Sequence, residues 1–123
     1  GQADVLIAFE RLEALRYAHF LKKDGVIVVN DHRIDPITVV TGMAQYPDNI
    51  IENLEKEHKV LKVKAMDEAL KLGNSKVFNI IVLGVAAKHM DFTKEAWLEV
   101  IENTVPPKTV EINKKAFLLG FES

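Results

Sequence analysis

The sequence has 123 residues, no cysteine, and 16 Lys and Arg against 18 Asp and Glu, for a formal net charge of −2. That length suits one domain with a core of its own. The missing cysteines exclude a disulfide framework, Cys-ligated zinc, a thiolate nucleophile and a Cys-held iron–sulfur cluster within this chain, and the near-neutral charge argues against a general binder of phosphate backbones.

Residues 3–9 read A-D-V-L-I-A-F, a short apolar run of the kind expected for a strand buried on both faces. Residues 10–21 then carry a helical stripe of Ala14, Leu15, Ala18 and Leu21, with Lys22 and Lys23 expected in the last turn. Asp24-Gly25 reads as a stop-and-turn signal before a second β-branched run, residues 26–29, which ends at Asn30. Strand, helix and strand in that order predict a βαβ unit with parallel strands.

Residues 31–49 are less regular. I-T-V-V-T at 37–41 predicts a short strand. Asp48 or Asn49 is placed to cap a helix over 50–58. Residues 60–63 alternate Val and Leu with Lys, as a strand nearer an edge does, and 66–72 read as a helix stopped at Gly73. Asn74 or Ser75 is placed to cap the next helix, which is expected to reach His89 and is apolar almost all round over V-F-N-I-I-V-L-G-V-A-A. Such a helix is expected to be buried on every side. Thr93 reads as an N-cap, with Phe92 and Trp97 as a hydrophobic staple, over a helix ending near Asn103. A last helix over 109–121 aligns Val110, Asn113, Phe117 and Phe121, though its T-V-E-I start can also be read as extended. No apolar run reaches the ~20 residues of a membrane span.

Chemistry-bearing patterns are few. The four histidines, His19, His32, His58 and His89, show no zinc-motif spacing. The densest polar cluster, residues 31–35 (D-H-R-I-D), reads as a solvated loop after a strand, with an acid–base or metal site as the sharper alternative. No nucleophile elbow, P-loop or Gly-x-Gly-x-x-Gly is present. One geometric argument remains. Ligands of open α/β sheets meet the carboxyl ends of the strands, and Glu10, Asn30 and Asp67 follow the three strand candidates, the simpler reading being that each caps the element after its strand. Asn79, inside the apolar helix, is expected to be a buried amide in need of partners.

Four blocks in order carry a family likeness: A-D-V-L-I-A-F-E-R-L-E-A-L-R-Y, L-K-K-D-G-V-I-V-V-N, G-N-S-K-V-F-N-I-I-V-L-G and V-E-I-N-K-K-A-F-L-L-G-F-E. Together they resemble the small, gamma-type subunits of 2-oxoacid:ferredoxin oxidoreductases, nearest to the beta subunits of the indolepyruvate enzymes, with which Tyr46-Pro47 is shared. The N-x-x-A-F-x-x-G block (Asn113, Ala116, Phe117, Gly120) is the most specific part.

The resemblance implies an α/β, three-layer Rossmann-like fold with a mainly parallel central sheet. It implies a non-catalytic subunit of a cytoplasmic complex that oxidatively decarboxylates aryl-2-oxoacids to acyl-CoA and passes electrons to ferredoxin. No cofactor is expected in this chain. Thiamine diphosphate and iron–sulfur clusters are expected in a large catalytic partner subunit. Neither nucleic acid nor membrane is an expected partner, and apolar faces leave room for homo-oligomers. Family members carry a strand and a G-x-G-G-Q-G-type turn ahead of A-D-V-L-I-A-F, so the resemblance implies an N-terminally truncated single domain. No catalytic residue carries over. Glu10, Asn30, Asp67, Asn79, Asn113 and Phe117 are the sheet-edge or interface candidates. Two other classes compete: a Rossmann-like methyltransferase or dehydrogenase, on the D-V-L-I and D-G-V-I-V-V patterns, and a protein-interaction module, on the apolar helix.

Overall fold

In the computed structural model, which describes residues 3–31 and 37–123, the chain forms two compact units, Gly1–Lys62 and Val63–Ser123. The polar cluster beginning at Asp31 lies outside the described residues from position 32 to 36.

The first unit is built on strand β1 (Ala3–Ala8), helix α1 (Arg11–Tyr17) and strand β2 (Leu21–Asn30). β1 and β2 pair in parallel, with Leu6 opposite Ile27 and Ala8 opposite Val29. Strand β3 (Lys59–Val63) completes a sheet of order β1-β2-β3. The class is α/β, as the sequence predicts. The doubly buried strand, however, is β2 and not β1: Ile27, Val28 and Val29 are fully buried, whereas in β1 only Ala8 is. Among the described residues β2 has a neighbour on each side and β1 on one.

The α1–β2 boundary also differs from expectation. The α-helix stops at Tyr17, a 3-10 turn covers Ala18–Phe20, and Lys22, Lys23, Asp24 and Gly25 all belong to β2. The turn signal is spent inside the strand. Between the pairs Ala3–Leu21 and Val5–Val26, one residue of β1, Asp4, is matched by four of β2, Lys22 to Gly25. A bulge of this kind absorbs extra residues without ending the strand.

Residues 37–40 are likewise helical, not extended: α2 (Ile37–Val40) is a single turn. Its end explains the failure of β-propensity. Gly42, at φ +81°, lets its own N–H bond Val39 O and the N–H of Met43 bond Thr38 O at 2.8 Å. This Schellman closure satisfies the backbone locally. Helix α3 (Ile50–Glu55) follows Asn49, which sits in the left-handed region at φ 56° and makes no side-chain cap bond. Ile50, Ile51 and Leu54 join Ala8, Ala14, Leu21, Ile27, Val29 and Tyr46 in the core of this unit.

The second unit is helical: α4 (Ala65–Lys71), α5 (Phe78–Ala87), α6 (Lys94–Thr104) and α7 (Val110–Phe121). Gly73, at φ +88°, stops α4 as predicted, and Asn74 Oδ1 accepts from Lys76 N at 2.9 Å ahead of α5. Thr93 Oγ1 accepts from Ala96 N at 3.1 Å, and Phe92 meets Trp97 edge-on, which is the predicted cap and staple. Phe117 is fully buried and stacks on Trp97 and Phe121. α5 is not buried all round. Ile81, Val82, Gly84, Val85, Ala86 and Ala87 are interior, but Phe78, Ile80 and Leu83 are half-buried. Asn79 is exposed, which corrects the expected buried amide: it lies in the first turn, ahead of the buried stretch.

Candidate functional site

The parallel register brings the exits of β1 and β2 to the same end of the sheet. Two bonds then tie those exits together. Asn30, 1% exposed, donates from Nδ2 to Phe9 O at 3.2 Å. Arg11 Nε donates to Asp31 Oδ1 at 2.6 Å in an ion pair whose side chains are 38% and 16% exposed.

Glu10 turns the chain from β1 into α1. Its Oε1 accepts from Glu13 N at 3.1 Å, so the carboxylate caps the helix in the place usually held by Ser, Thr, Asp or Asn. Its Oε2 accepts a short 2.5 Å bond from the Tyr46 hydroxyl. Charge-assisted O–H···O⁻ bonds run this short. Tyr46 is buried, and its hydroxyl is held well above the usual phenol range, first by burial, then by the bond to Glu10 and the charge on it. A buried carboxylate and a buried phenol thus hold the loop around residue 46 onto the start of α1.

Beside this pair lies a polar cleft of about 290 Å³, lined by Arg11, Asp31, Tyr46, Asp48, Glu52 and Lys62 among others. It sits at the carboxyl ends of parallel strands, where open α/β sheets bind ligands. Its charges are mixed. The cleft can orient a polar group, but it offers no serine, cysteine or histidine nucleophile among the described lining residues. Among the described residues no three His, Cys, Asp or Glu side chains are grouped to hold a metal ion. With no cysteine in the sequence, this chain supplies no thiolate to an iron–sulfur cluster, so its residues do not fit that group.

The remaining candidates fall in the second unit. Asp67 is exposed in the first turn of α4. Asn113 is buried and donates from Nδ2 to Thr109 O at 2.9 Å, one turn back at the N-cap of its helix. Phe117 is a core residue and offers no surface to a partner. A second cleft, of about 620 Å³ and mostly apolar, lies among Val63, Leu72, Ile81, Val85 and Leu118. Tyr46 enters the sequence reading only through its pairing with Pro47. The signal for its role was Glu10, an N-cap carboxylate between an apolar strand and a helix, which needs a second partner once buried.

The fold and this strand-end site define a parallel α/β domain whose polar residues at the strand exits are engaged in holding its own loops. The sequence matches the family described as pyruvate ferredoxin/flavodoxin oxidoreductase over residues 1–123, and the chain belongs to that family. It is 36% identical over its whole length to "Indolepyruvate oxidoreductase subunit IorB" of Thermococcus kodakarensis, and 39% identical, again over its whole length, to the protein of the same name from Pyrococcus horikoshii. The chain spans 64% of the length of each. Among solved structures it resembles the keto/oxoacid ferredoxin oxidoreductase gamma subunit of Geobacter sulfurreducens, with a TM-score of 0.72 and 27% identity over 99% of this chain and 64% of that one.

Proposed function

We propose that this chain is part of the small subunit of an indolepyruvate-type 2-oxoacid ferredoxin oxidoreductase, and that its role is assembly and not chemistry. The observation that carries the reading is the match, over the whole of this chain and 64% of theirs, to subunits named for indolepyruvate oxidoreductase. The 123 residues act as one α/β domain in this reading. The larger partner subunit binds thiamine diphosphate and the iron–sulfur clusters, takes the 2-oxoacid and coenzyme A, and passes electrons to ferredoxin. Supporting the division of labour, the strand-end polar groups here are tied to one another, and no cysteine is present to ligate a cluster. The complex works in the cytoplasm.

Co-expression with the larger subunit tests this. The two chains are expected to co-purify. Indolepyruvate-dependent ferredoxin reduction is expected from the pair, and none from this chain alone with added thiamine diphosphate. Turnover by the isolated chain, or failure to pair with the larger subunit, refutes the reading.

A further inference from the structure

The loop between α2 and α3 is held differently from the rest of the first unit. Of residues 43–48 only Tyr46 is buried, and Met43, Ala44, Gln45, Pro47 and Asp48 are exposed. The Tyr46 ring joins the core of the unit, and its hydroxyl donates to Glu10 Oε2. One buried side chain thus pins an otherwise exposed segment to the strand exits.

The ends of this segment are built to bend. Gly42 has a φ of +81° and Asn49 a φ of 56°, so a left-handed residue stands at each end. Asn49 is the one non-glycine residue with positive φ among the described residues. Its side chain makes no cap bond to α3, the service an Asn at a helix start usually supplies. Left-handed backbone costs energy for a residue with a Cβ and persists only where the surrounding structure enforces it. Between the ends, Pro47 fixes its own φ and restricts the backbone of Tyr46. A stiff centre with a left-handed residue at each end concentrates movement at Gly42 and Asn49, as hinge residues do.

The same segment is part of the polar cleft, which Tyr46, Pro47, Asp48 and Asn49 line together with Arg11 and Asp31. Withdrawing Tyr46 would remove that wall and take this donor from Glu10 Oε2, at the strand ends where open α/β sheets meet ligands. We propose that residues 43–48 are a strap that swings on Gly42 and Asn49, latched shut by Tyr46 on Glu10, and that its opening gates the polar cleft while the first unit stays folded. The strap belongs to this chain alone and stands independently of the proposed function.

Nitration of the chain with tetranitromethane tests it, because the sequence has two tyrosines. Tyr17, 49% exposed, is the internal reference for Tyr46, which is 8% exposed. Initial rates at each are read by peptide mass spectrometry, at urea concentrations below the unfolding transition. Tyr46 is expected to react more slowly than Tyr17, at a rate that urea leaves unchanged, since a local opening exposes little surface. Gly42→Ala is expected to raise the Tyr46 rate about tenfold, because alanine disfavours the left-handed backbone of the closed strap. Asn49→Ala should raise it in the same direction and decides the matter if the first variant fails to fold. Tyr17 should react alike in all three proteins. A Tyr46 rate that climbs with urea in step with global unfolding, that equals the Tyr17 rate, or that is too small to detect overturns the strap. Two folded hinge variants with the wild-type rate overturn it as well.

Discussion

Gly84 of α5 and Gly120 of α7 each face the main chain of the other helix. A Cβ on Gly84 would meet the carbonyl oxygen of Phe117, and one on Gly120 would meet that of Ile81, both under 3.0 Å. Neither neighbour is a flexible side chain that could move aside. The two glycines are therefore what allows the helices to approach this closely, and either substitution must push the backbones apart.

Gly84→Ala and Gly120→Ala are each expected to destabilise the protein by about 1–3 kcal/mol, as overpacking does. The double variant should cost less than the sum of the two, because one separation relieves both clashes. Gly42→Ala provides the contrast. Its φ is +81° and nothing lies within 4 Å of a Cβ there, so only backbone strain of about 1–2 kcal/mol is expected. Urea unfolding of the three variants checks the ordering.

The Glu10–Tyr46 pair makes stability depend on pH at the alkaline end. The Tyr46 hydroxyl is held above its ordinary value in the folded chain, chiefly by burial and then by Glu10. In the unfolded chain it loses its proton near pH ~10. The sign follows: below pH ~10 both states keep the proton and the contribution is complete, and above it only the unfolded state ionises, so stability falls as pH rises. Tyr46→Phe is expected to lose about 1–3 kcal/mol at pH 7, because Glu10 Oε2 is left buried without that donor. It should also flatten the loss of stability above pH 10. Thermal melts of both proteins from pH 7 to 11 check both effects. Parallel curves would show that Tyr46 is not the group that titrates.

The parts of the fold that were legible in the sequence are those set by short-range chemistry. Thr93 with its staple, Gly73 after α4, and the β-branched run ahead of Asn30 all fall where their side chains dictate. What the sequence hid is decided by neighbours far along the chain. Leu21 to Gly25 become strand because β1 offers a partner for a bulged register. Ile37–Val40 become a helical turn because Gly42 closes it, in spite of two valines and an isoleucine. The strand-end position of Glu10 and Asn30 was readable from the βαβ pattern, but Tyr46 lies 36 residues from Glu10 and no local rule links them.

Thr93 provides a local test of that legibility. Its hydroxyl accepts from Ala96 N, and the bond is exposed. Thr93→Ala is expected to cost about 1 kcal/mol, whereas Thr93→Ser should cost little, since serine keeps the acceptor. Denaturant unfolding of the two variants separates loss of the cap from loss of the methyl group.

Two asparagines with similar sequence surroundings should respond in opposite ways. Both follow or interrupt apolar runs, yet Asn30 is 1% exposed at the end of β2 and Asn79 is exposed on α5. Asn30 Nδ2 holds Phe9 O, the carbonyl next to the Glu10 cap. Removing that amide takes this donor from Phe9 O and cuts the side-chain tie between the two strand exits. Asn30→Ala is therefore expected to cost about 1–3 kcal/mol. Asn79→Ala meets no such penalty, because water replaces whatever the amide touched, and the change should lie within about 0.5 kcal/mol of zero. Paired urea titrations measure both. A large loss for Asn79→Ala in the isolated chain would mean that this amide is interior after all, whereas a loss seen only in binding to the larger subunit would place it at that contact.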